Sequence, residues 1–84
     1  MKTIKLSDYK SYMGKLIDIR DKSEYNLKHV SGSVNIPYND LLFNYQKYLN
    51  KNEYYFLICS NGVKSKRATN ILSFYGYHVT NVIK

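Results

Sequence analysis

Tyr54 to Ala68 read YYFLICSNGVKSKRA, and the fold turns on how this stretch divides. Its first six residues are an unbroken apolar run of strand length. A strand without polar alternation is buried on both faces, so YYFLIC belongs at the centre of a parallel sheet. After Gly62 the chain is basic and then apolar at Ala68, Ile71, Leu72 and Tyr75, spacings of three and four that predict a helix opening near Ser65. Gly76 supplies a left-handed C-cap to end it.

The pattern repeats outward. Thr3 to Leu6 (TIKL) is a first strand, Ser7 an N-cap, and DYKSYM one or two helical turns that stop at Gly14. KLIDI is a second strand. Asp21 with Glu24 three positions on resembles a capping box, opening a short helix that closes at His29. Ser33 to Pro37 (SVNIP) is a third strand, Asn39 caps one amphipathic helix over DLLFNYQKYL, and HVTNVI forms a last strand after Gly76. Strand and helix alternate throughout, which predicts an α/β fold with a mostly parallel sheet covered by short helices on both faces.

Eighty-four residues form a single domain, 1–84, with no repeat, linker or low-complexity tract. A chain this short removes only about 60 to 65% of its unfolded surface, so the core is small. One cysteine makes no internal disulfide, and no segment approaches the ~20 apolar residues of a membrane span. A cytoplasmic protein with no membrane association is expected. The net charge of +7 attracts anions, whether small molecules, acidic proteins or RNA. The tyrosines and lysines of NYQKYLNKNEYY have the composition of an RNA-binding surface, but Tyr54 and Tyr55 are expected to pack across a strand, so nucleic acid is not the expected partner.

Cys59, the only cysteine, falls at the carboxyl end of the central strand, the edge where open α/β sheets bind ligands. Gly62 lets the loop curl so that successive N–H groups face inward above a helix N-terminus. Those groups, with Lys64, Lys66 and Arg67 nearby, favour the thiolate, the nucleophilic form of cysteine. With no second cysteine, an internal dithiol cycle is disfavoured. A cysteine-dependent phosphatase would need an arginine six residues after the cysteine; Ser65 stands there.

CSNGVKS resembles the active-site loop of the rhodanese-like sulfurtransferase family, and LIDIR with SEY and HVSGSVNIP are similar to that family's two other signatures. The three occur in the family's order over Leu16 to Ser65, and FYGYHVTNV also fits. The resemblance implies a five-stranded parallel sheet and a Cys59 that takes sulfane sulfur from thiosulfate or a protein persulfide and passes it to a thiol or cyanide. No metal or organic cofactor is implied. Ser60, Asn61, Gly62, Val63, Lys64 and Ser65 would form the loop that binds the anionic donor. Lys64 replaces a more usual arginine, giving a point charge in place of a bidentate fork, which favours a persulfide donor over thiosulfate.

Asp18, Arg20 and Glu24 would support that loop without joining the chemistry: Asp18 bonding it, Arg20 pairing with Glu24. His29 is expected to orient the SGSVNIP loop instead of acting as a base, and His78 to sit near the surface of its strand. A carrier that docks an acidic protein partner with little turnover of small donors is the competing expectation. The family's chains continue past the last strand into a turn and helix, whereas this sequence stops at Lys84, so a dimer or partner is expected to cover one face.

Overall fold

The structure, a computed structural model describing residues 2–84, is built on five parallel strands. In chain order they are β1 (Lys2–Lys5), β2 (Lys15–Asp18), β3 (Val34–Asn35), β4 (Tyr54–Ile58) and β5 (His78–Ile83). Their order across the sheet is β1-β5-β4-β2-β3, so the apolar run at Tyr54 does occupy the centre. Its register is Leu57 beside Ile17 on one flank and beside Asn81 on the other.

Side chains alternate across β4. Tyr55, Leu57 and Cys59 face a core shared with α2 (Tyr38–Phe43), α3 (Tyr45–Tyr48) and α4 (Val63–Phe74), while Phe56 and Ile58 face a smaller cluster with Leu16 and Val82. That second face is closed by Ile4, Leu6, Tyr9 and Val30, and its helical cover consists of 3-10 turns at Leu6–Asp8 and Ser11–Met13. Tyr9 anchors this cover by tilting over Phe56 at 5.1 Å and donating its hydroxyl to the Gly14 carbonyl at 2.6 Å. Gly14 is required because a Cβ there would fall on the Tyr54 carbonyl oxygen.

Several local expectations are corrected. Ser7 lies inside the first 3-10 turn and caps nothing. The amphipathic helix is two helices, α2 and α3, started by Pro37 and not by Asn39. The break is Asn44, which leaves the helical conformation at φ −130° and ψ 32° and whose side chain joins its own amide on the Asp40 carbonyl, at 3.1 and 3.0 Å, and bonds the Asp40 carboxylate at 2.9 Å. Asp21 precedes α1 (Lys22–Leu27), but its side chain makes no cap, and Glu24 is turned toward Ser60, so neither half of the capping box forms.

Helix α4 begins two residues earlier than expected, at Val63, with Gly62 left-handed at φ 82° as its N-cap. It ends as expected at Gly76. The Gly76 amide bonds the Ser73 carbonyl and the Tyr77 amide the Leu72 carbonyl, at 3.0 and 3.1 Å, a Schellman closure with Gly76 at φ 97°. The buried face of α4 is Ser65, Ala68, Thr69 and Leu72, whereas Tyr75 is exposed and Ile71 only partly covered. The helix is thus rotated to bring two hydroxyls against the sheet.

Candidate active site

Three elements meet at the carboxyl edge of the sheet. Strand β4 delivers Cys59 one residue past its end, on the face toward α4, because the alternation that buries Tyr55 and Leu57 also turns Cys59 that way. The left-handed Gly62 then reverses the chain into α4, which brings Ser65 back over the sulfur. Cys59 is only 6% exposed.

The Ser65 amide donates to Cys59 Sγ at 3.3 Å, and the Ser65 Oγ lies 3.3 Å from the same sulfur. Burial pushes the thiol pKa up, but hydrogen bonds from the Ser65 hydroxyl and from the amides of Ser65, Gly62 and Asn61 outweigh it, and the net shift is downward. The Asn61 side chain shapes the turn by accepting from the Val63 amide at 3.0 Å. A cleft of about 280 Å³ opens beside the sulfur between Ile19, Arg20 and Glu24 on one side and Ser60, Val63 and Lys64 on the other. The cleft thus lies beside a thiol whose hydrogen bonds favour its negative form relative to a free cysteine.

The supporting residues are arranged differently from the expectation. Asp18, 2% exposed, makes no bond to the Cys59 loop; both its oxygens are taken by Arg20, at 2.8 to 3.0 Å. Arg20 also donates to the Lys28 carbonyl at 2.6 Å, so it does not pair with Glu24. The Asp18 bond is the main reason its guanidinium pKa is raised. Glu24 accepts from the Ser60 hydroxyl at 3.4 Å, which makes Glu24 the direct link between α1 and the loop. The Lys64 ammonium stands 5.5 Å from the Tyr38 ring centre, a cation over an aromatic face.

His29 stacks on Tyr25 at 3.8 Å, its Nδ1 meets the Tyr25 carbonyl at 2.7 Å, and it lines a different cleft from the one at Cys59. Asn35 donates to the Asp18 and Arg20 carbonyls, both at 2.9 Å, and so fixes the turn leaving β2. His78 is exposed and stacks on Tyr54, its register partner. Among the described residues no group of three or more His, Cys, Asp or Glu side chains comes together as a metal site, and no helix is long and apolar enough to cross a membrane.

One residue of the site was not anticipated. Asn81 on β5 is buried, and its Oδ1 accepts from the Ser65 hydroxyl at 2.5 Å. Its signal in the sequence was a pair of adjacent polar residues, Thr80 and Asn81, between Val79 and Val82 of the strand.

Comparison with known proteins places this geometry. The family described as "Rhodanese-like domain" matches residues 4–84. A thiosulfate sulfurtransferase GlpE of Tolumonas auensis is 34% identical over 62 residues, 74% of this chain and 58% of that protein, so the match spans little more than half of that relative. A crystal structure from Staphylococcus saprophyticus superposes with a TM-score of 0.86 at 28% identity, covering 98% of this chain and 86% of the other. A rhodanese-related protein of Thermoplasma volcanium gives 0.84 at 27% identity, covering 98% and 83%.

Proposed function

Because the chain belongs to the rhodanese-like domain family, we propose that it is a sulfurtransferase that carries sulfane sulfur as a persulfide on Cys59. The observation that supports this most is the placement of the sulfur: beside a small cleft, at a turn whose amides and the Ser65 hydroxyl favour its anion. That arrangement suits an in-line attack by thiolate.

The Cys59 thiolate attacks the outer sulfur of thiosulfate or of a persulfide. A new S–S bond forms, the donor's S–S bond breaks, and sulfite or a thiolate leaves with the electron pair. The resulting Cys59 persulfide bears its charge on the outer sulfur, in the cleft lined by Ser60, Val63 and Lys64, where loop N–H groups stabilise it. Cyanide or a thiolate acceptor then attacks that sulfur, and Cys59 leaves as thiolate. Each half-reaction conserves charge and electrons, so no cofactor or external oxidant is needed.

Arg20 and Asp18 neutralise each other beside the cleft. Lys64 is the nearer cation for the donor, and its stacking on Tyr38 leaves a single point charge for an oxyanion. This supports a persulfide donor, small or protein-borne, ahead of thiosulfate. A cytoplasmic setting suits such a free thiol.

The test is intact mass after incubation with thiosulfate and, separately, with a low-molecular-weight persulfide. Wild type should gain about one sulfur mass, lost on adding cyanide or thiol, and Cys59→Ser should gain none. If neither donor loads a Cys59 that alkylating reagents still reach, the small-donor reaction is refuted, and a docking role for an acidic protein takes its place.

A further inference from the structure

No hydrogen bond joins Cys59 to Asn81, but Ser65 contacts both and has one proton to give. Its hydroxyl is fully buried and has three neighbours: Asn81 Oδ1 at 2.5 Å, the Gly62 carbonyl at 3.3 Å and Cys59 Sγ at 3.3 Å. The shortest contact takes the proton. Ser65 then turns a lone pair toward the sulfur and can only accept the thiol S–H. For the same hydroxyl to donate to a thiolate, it must let go of Asn81.

We propose that Asn81 is a positioning residue that holds the Ser65 proton away from Cys59, so that the hydroxyl changes partners each time the sulfur changes charge. In the resting thiol the chain of donors runs from Cys59 to Ser65 to Asn81. When the sulfur is ionised, the Ser65 hydroxyl rotates onto it, joining the Ser65 amide already 3.3 Å away. The Asn81 carbonyl oxygen loses the hydrogen bond it accepted, so the amide acts as a counterweight to the loop that favours the anion. Once the persulfide forms, charge moves to the outer sulfur and the hydroxyl returns to Asn81.

The charged groups around Cys59 do not duplicate this device. Arg20, Asp21 and Glu24 face it from the end of β2 and from α1, Lys64 from α4, and Lys84 from beyond β5. Arg20, Asp21, Glu24 and Lys64 line the cleft and Lys84 a separate hollow beside the loop, whereas Asn81 meets the sulfur only through Ser65.

The inference rests on Cys59 as the reacting atom but not on sulfur transfer, so its test uses alkylation. The pH dependence of iodoacetamide alkylation is measured for wild type, Asn81→Leu and Asn81→Asp, with fold checked by circular dichroism. Asn81→Leu frees the hydroxyl and should raise the rate at pH below the thiol midpoint about three- to tenfold; Asn81→Asp grips the proton harder and should lower it by a similar factor. A purely structural role would move both variants the same way.

Slower alkylation in Asn81→Leu would mean that the amide donates to Ser65, and would overturn the proposal. If the leucine variant does not fold, Asn81→Asp in a Ser65→Ala background decides. Most of the aspartate's effect should vanish there; a full effect would mean that charge alone acts, which also overturns the proposal. Persulfide loading, read separately by mass, reports on the sulfur-transfer reading alone.

Discussion

Leu57 and Ile58 are consecutive residues of β4, equally buried, and point to opposite faces of the sheet. Leu57 enters a cluster of eleven buried residues, among the described ones, roofed by α2 and α4; Ile58 enters a cluster of four, closed by 3-10 turns, Tyr9 and Val30. Cys59 and the α4 face that presents Ser65 belong to the thick side. The difference teaches that this small chain does not spread its core evenly: it concentrates apolar burial behind the Cys59 loop and leaves the other face thinly covered.

The largest effect should separate the faces directly. Leu57→Ala is expected to cost about 4 kcal/mol and Ile58→Ala about 2 to 3 kcal/mol in urea unfolding, because the surroundings of a large cavity under rigid helices relax less than those under a turn. Equal losses would break the comparison.

Arg20→Ala should come next, at about 2 to 3 kcal/mol, since it leaves Asp18 buried and unpaired at the rim of the thin face. Cys59 loading should survive in whatever fraction stays folded. Tyr9→Phe removes one hydrogen bond from the thin cover and should cost about 1 kcal/mol, with the alkylation rate of Cys59 unchanged. A changed rate would show that the thin face does reach the site.

The smallest effect has the opposite sign. Thr69 is buried on the thick face with its Oγ1 unpartnered, so Thr69→Val should stabilise by about 0.5 to 1 kcal/mol in the same unfolding assay. The downward shift at Cys59 adds a pH dependence to all these comparisons. A thiol whose folded pKa is lowered contributes stability that is full above the unfolded thiol's pKa, about 8.5, and that is lost as pH falls through the folded value. A thermal scan of wild type against Cys59→Ser across that window should show the gap closing toward acid.

How much of this could be read from the sequence follows from range. The five strands, the central place of YYFLIC, the Gly76 ending and the cysteine at a strand-to-helix junction all follow from periodicity and glycine chemistry, which act over a few residues. The choices among side-chain partners do not. Asp18, Arg20 and Glu24 were legible as a charged group near the loop, but which carboxylate takes the guanidinium depends on the turn that Asn35 pins from β3. The break at Asn44 was hidden because the helical pattern of Leu41, Leu42, Tyr45 and Leu49 runs through it, while the turn is held by an Asn44 side chain folded back onto Asp40, a contact that apolar periodicity does not register. The polar pair at Thr80 and Asn81 marked an oddity in its strand but not its partner, which is sixteen positions away and meets Asn81 only when α4 packs on β5.

The register that sets Lys2 beside Thr80 and Lys5 beside Ile83 joins the first strand to the last. β1 therefore has no neighbour until β5, more than seventy residues further along, is in place. Closing so long a loop carries an entropic penalty that slows folding without much lowering final stability. In the meantime β1 is a short, lysine-bearing segment, a poor template for pairing with another molecule, which suits a strand that stays single until β5 arrives.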